Sequence, residues 1–140
     1  MRTRHAGTLD RRAVIAIDPV AATDLLRREH IGTAIAARRC LVAERDGRVV
    51  GYALLTRNFY GRDFLELLIV AEDARRGGVG SALLTAVERD VQGRVLFTST
   101  NESNAPMRAL LLKRGYAPSG RIENLDPGDP ELVFVKRGGG

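Results

Sequence analysis

The sequence predicts a single mixed α+β domain. Three observations carry that prediction. Two strand-like runs, Cys40 to Glu44 and Val49 to Thr56, flank Asp46-Gly47, a pair suited to the positive φ angles of a type I′ turn. Phe64 to Val70 is apolar except for Glu66, as a central strand covered on both faces should be. Directly after it the period becomes helical, with Val79, Ala82, Leu83, Ala86 and Val87 at i, i+3, i+4, i+7 and i+8. The chain has 140 residues, 44% hydrophobic and 28% charged, enough for a core that needs neither disulfide nor structural metal.

Taken in order, residues 1–12 read as an N-terminal arm and 13–137 as the domain. Ala13 to Ile17 is a short apolar run with strand character. Asp18-Pro19 is a breaker and a helix start. Ala21 to Arg39 is rich in alanine, leucine and arginine, and Gly32 is expected to divide it into two short helices. The Asp46-Gly47 hairpin follows, then a second turn over Asn58 to Asp63, the Phe64–Val70 strand, and a loop from Ala71 to Gly78. The helix from Val79 ends at Gln92-Gly93. Val95 to Thr98 is a strand. Ala105-Pro106 opens a helix that runs through Lys113, and Gly115 stands where a C-terminal cap belongs. Asn124 to Pro130 is turn-rich, Glu131 to Lys136 is the last strand, and Gly138 to Gly140 form a loose end.

Composition excludes several classes. Cys40 is the only cysteine, so an intrachain disulfide and a cysteine-based zinc site are both ruled out. Its apolar neighbours Leu41 and Val42 suggest a buried thiol. His5 and His30 are isolated, and no metal site is expected. No run approaches a membrane span, and the charged N-terminus lacks the apolar stretch of a signal peptide, so a soluble cytoplasmic protein is expected. The net charge of +5 suits an anionic partner, either nucleic acid or a phosphorylated cofactor. With 5% aromatic residues and no tryptophan, platforms for stacking single-stranded bases are scarce.

The most informative stretch runs from Leu67 to Leu84: strand, glycine-rich turn, helix. Arg75, Arg76, Gly77, Gly78, Val79 and Gly80 lie at the helix entrance. Glycines allow close backbone approach, the first helical N–H groups have no carbonyl to bond, and the arginines add charge. Such a turn suits a pyrophosphate, the alternative being a tight structural turn. It lacks the Lys-Ser/Thr ending of an NTPase phosphate loop and the glycine spacing of a dinucleotide fold.

These residues resemble the GNAT superfamily of acetyl-CoA-dependent N-acyltransferases. Arg75 to Gly80 has the family's R/Q-x-x-G-x-G/A form. "LELLIVAEDARRGGVGSALL" reads like its fourth strand, turn and third helix. "STNESNAPMRALLLKRGY" looks like its fifth strand and fourth helix, closing on Gly115-Tyr116. The resemblance implies a central, mostly antiparallel sheet flanked by helices, with the fourth and fifth strands splayed apart. It implies acetyl-CoA as co-substrate, its diphosphate on the N–H groups from Arg76 to Ser81 and its pantetheine along Leu68, Ile69 and Val70. Asn104 matches an asparagine that contacts the cofactor; as a residue preceding Ala105-Pro106 it is equally a helix cap.

Transfer to an amine needs a base, and Glu66 is the candidate, the alternative being a strand carboxylate paired with an arginine. Many members place a tyrosine acid where this chain has Leu111. Tyr116 falls on a packing position, which leaves Ser103, Tyr60 or water to protonate the thiolate. Phe59 and Tyr60 are candidates for the acceptor side, with the acidic "NLDPGDPEL" segment. The expected partner is a small-molecule or peptide amine, with a homodimer as a further expectation. Two other readings stand beside it: an acetyl-CoA-binding module with little turnover, motivated by Leu111, and an acetyltransferase directed at tRNA or other nucleic acid, motivated by charge.

Overall fold

In the computed structural model, which describes residues 1–138, the Asp46-Gly47 pair makes the expected tight turn, with φ of 54° and 76°. It joins β2 (Cys40–Arg45) to β3 (Arg48–Phe59) in antiparallel register from Cys40↔Leu54 to Arg45↔Arg48, with a bulge between Ala43 and Glu44. The remaining elements are β1 (Arg2–His5), α1 (Arg11–Ile17), α2 (Leu25–Ala36), β4 (Arg62–Val70), α3 (Val79–Asp90), β5 (Leu96–Asn101), α4 (Ala105–Lys113), β6 (Ala117–Ile122) and β7 (Glu131–Lys136). Strand order along the sheet is β1-β2-β3-β4-β5-β7-β6. Packing groups the chain into two units: Met1–Leu55 with Leu67–Asp90, and Thr56–Glu66 with Val91 onward. No helix among the described residues is long and apolar enough to cross a membrane.

In the first unit, strand alternation sends β2 and β3 side chains to two buried faces. Cys40, Val42, Tyr52 and Leu54 pack with Val14 of α1 and Ile31 and Ile35 of α2. On the other side Gly51 meets Val79 and Leu83 of α3. Both faces being covered, β2 and β3 read as continuous apolar runs.

Three expectations fail in this unit. Residues 2–5 are not part of a free arm; they form β1, antiparallel to β2 from Arg2↔Glu44 to His5↔Leu41. Charge disguised this strand. Arg4 is neutralised by Asp10 at 2.7 Å and Glu44 at 3.2 Å, and His5 pairs with Asp90 at 3.1 Å. The run Ala13–Ile17 is helix α1, not a strand; one turn of helix buries Val14 completely while Ala16 stays in solvent. Gly32 does not divide α2, which runs unbroken from its cap, where Asp24 accepts from the Arg27 N–H at 3.1 Å. The glycine instead makes room for the Arg11 guanidinium, 3.2 Å from where a Cβ would sit.

Asp18 acquires a role that its breaker position did not suggest. It is 1% exposed. Its carboxylate accepts from the Val20 N–H at 2.9 Å, from Arg27 at 3.1 Å and from the Tyr52 hydroxyl. The connection between α1 and α2 is thereby tied to β3. Burial, then the adjacent Asp18 carboxylate, push the Tyr52 hydroxyl pKa up.

In the second unit, β4 and β5 run parallel over Asp63↔Leu96, Phe64↔Phe97 and Leu65↔Thr98. β5 also pairs with β7, as far as Asn101↔Glu131. The fourth and fifth strands are parallel, as expected. Asp63, nearly buried, is held by Arg94 at 2.7 Å. β6 was not anticipated. It contains Pro118 and Gly120, is exposed throughout, and pairs with β7 across a register shift between Pro118 and Arg121. Residues that interrupt a central strand are tolerated on an edge. Helix α4 ends as expected: Gly115, at φ +90°, donates to the Leu112 carbonyl and Tyr116 to that of Leu111.

Candidate active site

The site is built at the end of β4. Ala71 donates its N–H to the Val50 carbonyl at 2.8 Å, fixing where the strand leaves the sheet. A short turn of 3-10 helix, Glu72–Ala74, follows, and the chain reaches α3 through Arg75 to Gly78. Arg76 and Gly78 both take positive φ, 67° and 81°. Positive φ at alternate residues is a backbone pattern that can gather N–H groups on one side, an arrangement that favours anions. Helical bonding begins with Ala82 N–H to Gly78 carbonyl at 3.0 Å, so the N–H groups of Val79, Gly80 and Ser81 point out of the helix end. Arg75 and Arg76 are exposed and make no ion pair among the described residues.

What holds this turn was not legible in the sequence. Arg45, the last residue of β2, donates to the Gly77 carbonyl at 2.9 Å. Arg48, its partner across the hairpin turn, bonds Asp73 at 2.8 Å. That guanidinium holds the Asp73 carboxyl below its ordinary range. Gly51 supplies a third constraint. A Cβ there would lie 2.7 Å from Val79 Cγ1, 3.0 Å from Leu83 Cδ1 and 3.1 Å from the Ile69 carbonyl, so only glycine lets α3 approach β3 this closely. A glycine inside an apolar strand was the available signal.

Leu68, Ile69 and Val70 are half-buried at the end of β4 and lead into the cradle. Glu66 lies earlier on the strand, also half-buried, next to Leu65, whose carbonyl accepts from the Thr98 hydroxyl at 2.9 Å. Phe59 and Tyr60 belong to the opposite end of β4, at the hairpin from β3. Tyr60 and Gly61, at φ 53° and 74°, form a two-residue turn that leaves Tyr60 88% exposed. Phe59 stacks on Phe64 at 4.7 Å between ring centres and leans on Phe97 at 5.2 Å. Asn104 caps α4, accepting from the Met107 N–H at 3.2 Å.

The acidic segment between β6 and β7 is already engaged. Ser103 donates its hydroxyl to Asp129 at 2.6 Å, and Asn101 its amide to Asp126 at 2.9 Å. The Ser103 proton is therefore committed to a carboxylate. Leu111 is fully buried and Tyr116 is 3% exposed, with the Lys136 ammonium over its ring at 5.4 Å.

The model of the GNAT acetyltransferase family matches residues 10–116. The chain belongs to this family. It is an enzyme of the acyltransferase class. A GNAT acetyltransferase structure from Bacillus cereus is 33% identical, with a TM-score of 0.91 over 98% of this chain and 96% of that one. The ribosomal-protein-alanine N-acetyltransferase of Brucella melitensis is 28% identical, with a TM-score of 0.80 over 98% and 99%. An aminoglycoside 6′-N-acetyltransferase complexed with coenzyme A shares the fold at 14% identity, with a TM-score of 0.79 over 98% and 97%. A comparison with curated protein sequences returns no match. The matched residues include the turn between β4 and α3.

Proposed function

We propose that this GNAT enzyme transfers the acetyl group of acetyl-CoA to a primary amine by direct attack within a ternary complex. The observation that carries the reading is the turn from Arg75 to Ser81: the N–H groups of Val79 to Ser81 lie ahead of the helix's own bonding, the carbonyl of Gly77 is turned to Arg45, and two exposed arginines make no ion pair among the described residues. A structure of the same fold is described as a coenzyme A complex, which supports the same ligand here. In this reading the diphosphate sits on the N–H groups of Arg76 to Ser81 and the pantetheine follows Leu68 to Val70. Asn104 meets the cofactor while its side chain caps α4. The acceptor approaches from the side of Phe59 and Tyr60.

The burial of the one thiol supports direct transfer. Cys40, the chain's single cysteine, is fully buried, and burial pushes its thiol up to about 12, so it is not an acetyl carrier. In this reading the amine nitrogen attacks the thioester carbonyl itself. Glu66 takes the ammonium proton directly or through water, the tetrahedral oxyanion is met by a backbone N–H near Val70, and the C–S bond breaks. A thiol of ordinary pKa, about 8.5, leaves as thiolate and collects its proton from water, so Leu111 in place of a tyrosine acid is compatible with turnover.

Calorimetric titration with acetyl-CoA, then release of CoA thiol with a panel of amines, tests the reading. The buried Cys40 keeps the thiol background low. Binding with amine-dependent release is expected. A protein that bound no acetyl-CoA would overturn the proposal.

A further inference from the structure

Arg45 lies outside the family's signature segment, yet it touches the backbone of that segment at its most pliable point. The peptide linking Gly77 to Gly78 is flanked by two residues without Cβ atoms, so rotating its plane meets little steric resistance. A trans peptide points its C=O and N–H in opposite directions. With the Gly77 carbonyl held by Arg45 at 2.9 Å, the Gly78 N–H must face the other way. The reverse plane would present a carbonyl oxygen to an anion where a donor is needed. The guanidinium also lies 3.0 and 3.1 Å from the Cβ position of Gly77, so it packs against the residue as well as bonding it.

Arg45 is itself well placed. It is half-buried at the end of β2, paired in register with Arg48, and the hairpin beneath it is closed by the Asp46-Gly47 turn. Arg48 ties the same hairpin to Asp73, four residues before Gly77. The hairpin tip thus grips the turn at two points, one of them a carbonyl.

We infer that Arg45 is a positioning residue that locks the Gly77–Gly78 peptide so that its N–H serves the diphosphate of coenzyme A. This rests on the cofactor reading given above. The lock acts before ligand arrives, which separates it from a direct phosphate contact.

The test uses Arg45→Met, which keeps an apolar stem, and Arg45→Lys, which keeps a donor. Binding of CoA and of dephospho-CoA is measured by calorimetry, with KM and kcat where an amine substrate is in hand. The Gly78 amide resonance is followed in ligand-free, ¹⁵N-labelled protein. Losing a charge-assisted hydrogen bond at a half-exposed site corresponds to about a tenfold weakening. The expected result for Arg45→Met is that loss for both ligands alike, expressed in KM and not kcat. Arg45→Lys should recover part of it, and the free Gly78 resonance should shift or broaden. A loss confined to CoA would mean contact with the 3′-phosphate and would overturn the lock. So would an unmoved Gly78 resonance in the free protein, or unchanged affinity. Wild-type protein that bound neither ligand would instead strike at the cofactor reading, so the two failures are distinguishable.

Discussion

Replacing Gly51 by alanine tests how far the cradle depends on close approach between β3 and α3. The new Cβ would stand 2.7 Å from Val79 Cγ1, where ordinary contacts fall at 3.4–4 Å, so Val79 or the strand must yield by about 1 Å. Neither has an easy route. Val79 and Leu83 are 1% and 0% exposed, and the Ile69 carbonyl blocks the third side at 3.1 Å. Overpacking of this kind costs about 1–3 kcal/mol. Alanine restricts the unfolded chain and returns roughly 0.4–1 kcal/mol, so from the middle of both ranges a net loss of about 1.3 kcal/mol remains. For a chain of this length that lowers Tm by roughly 3–8 °C.

Because Val79 is the first residue of α3, the displacement falls on the N–H groups of the cradle, and acetyl-CoA affinity should drop more than the loss of stability alone implies. Thermal unfolding and calorimetric titration measure the two effects. Val79→Ala introduced beside Gly51→Ala removes the clashing methyl groups and should recover part of both. If Gly51→Ala kept its Tm and its acetyl-CoA affinity, the idea that this glycine sets the position of α3 would be refuted.

Other outcomes follow from the same geometry. Gly78→Val forces a β-branched residue to φ +81°; CoA binding should be lost while the thermal transition stays cooperative, and normal binding would displace the diphosphate from this turn. Glu66→Gln should lower kcat by about 10²-fold or more; an unchanged rate removes Glu66 from the mechanism. The Arg4 guanidinium, with the Gly7 N–H, holds the Asp10 carboxyl below its ordinary value. A depressed carboxylate stabilises the fold above the unfolded value of about 3.9, and that contribution is lost as pH falls through the folded pKa. The Tm difference between wild type and Asp10→Asn should therefore be full near pH 7 and close below about pH 4. A gap that did not narrow as the pH fell below that value would assign the effect to packing.

The sequence by itself determined whatever is settled within a few residues. Asp46-Gly47, Gly115 and the stripe on α3 each state their conformation locally, through positive φ, a helix stop and a repeat. The turn after β4 was legible for the same reason: glycines ahead of a helical repeat mark where the strand is left and the helix begins, without reference to distant residues. The tertiary structure decided the rest. Residues 2–5 are a strand because β2 offers a free edge, Asp10 and Glu44 neutralise Arg4, and Asp90 pairs with His5. Residues 13–17 are a helix because one turn buries Val14 while Ala16 stays in solvent; a five-residue apolar run has no period long enough to say so. The roles of Arg45, Gly51 and Asp18 depend on partners 32, 28 and 34 positions away, at Gly77, Val79 and Tyr52. Steric fit and hydrogen-bond geometry act through space, and residue type in one stretch of chain does not encode which distant backbone will meet it.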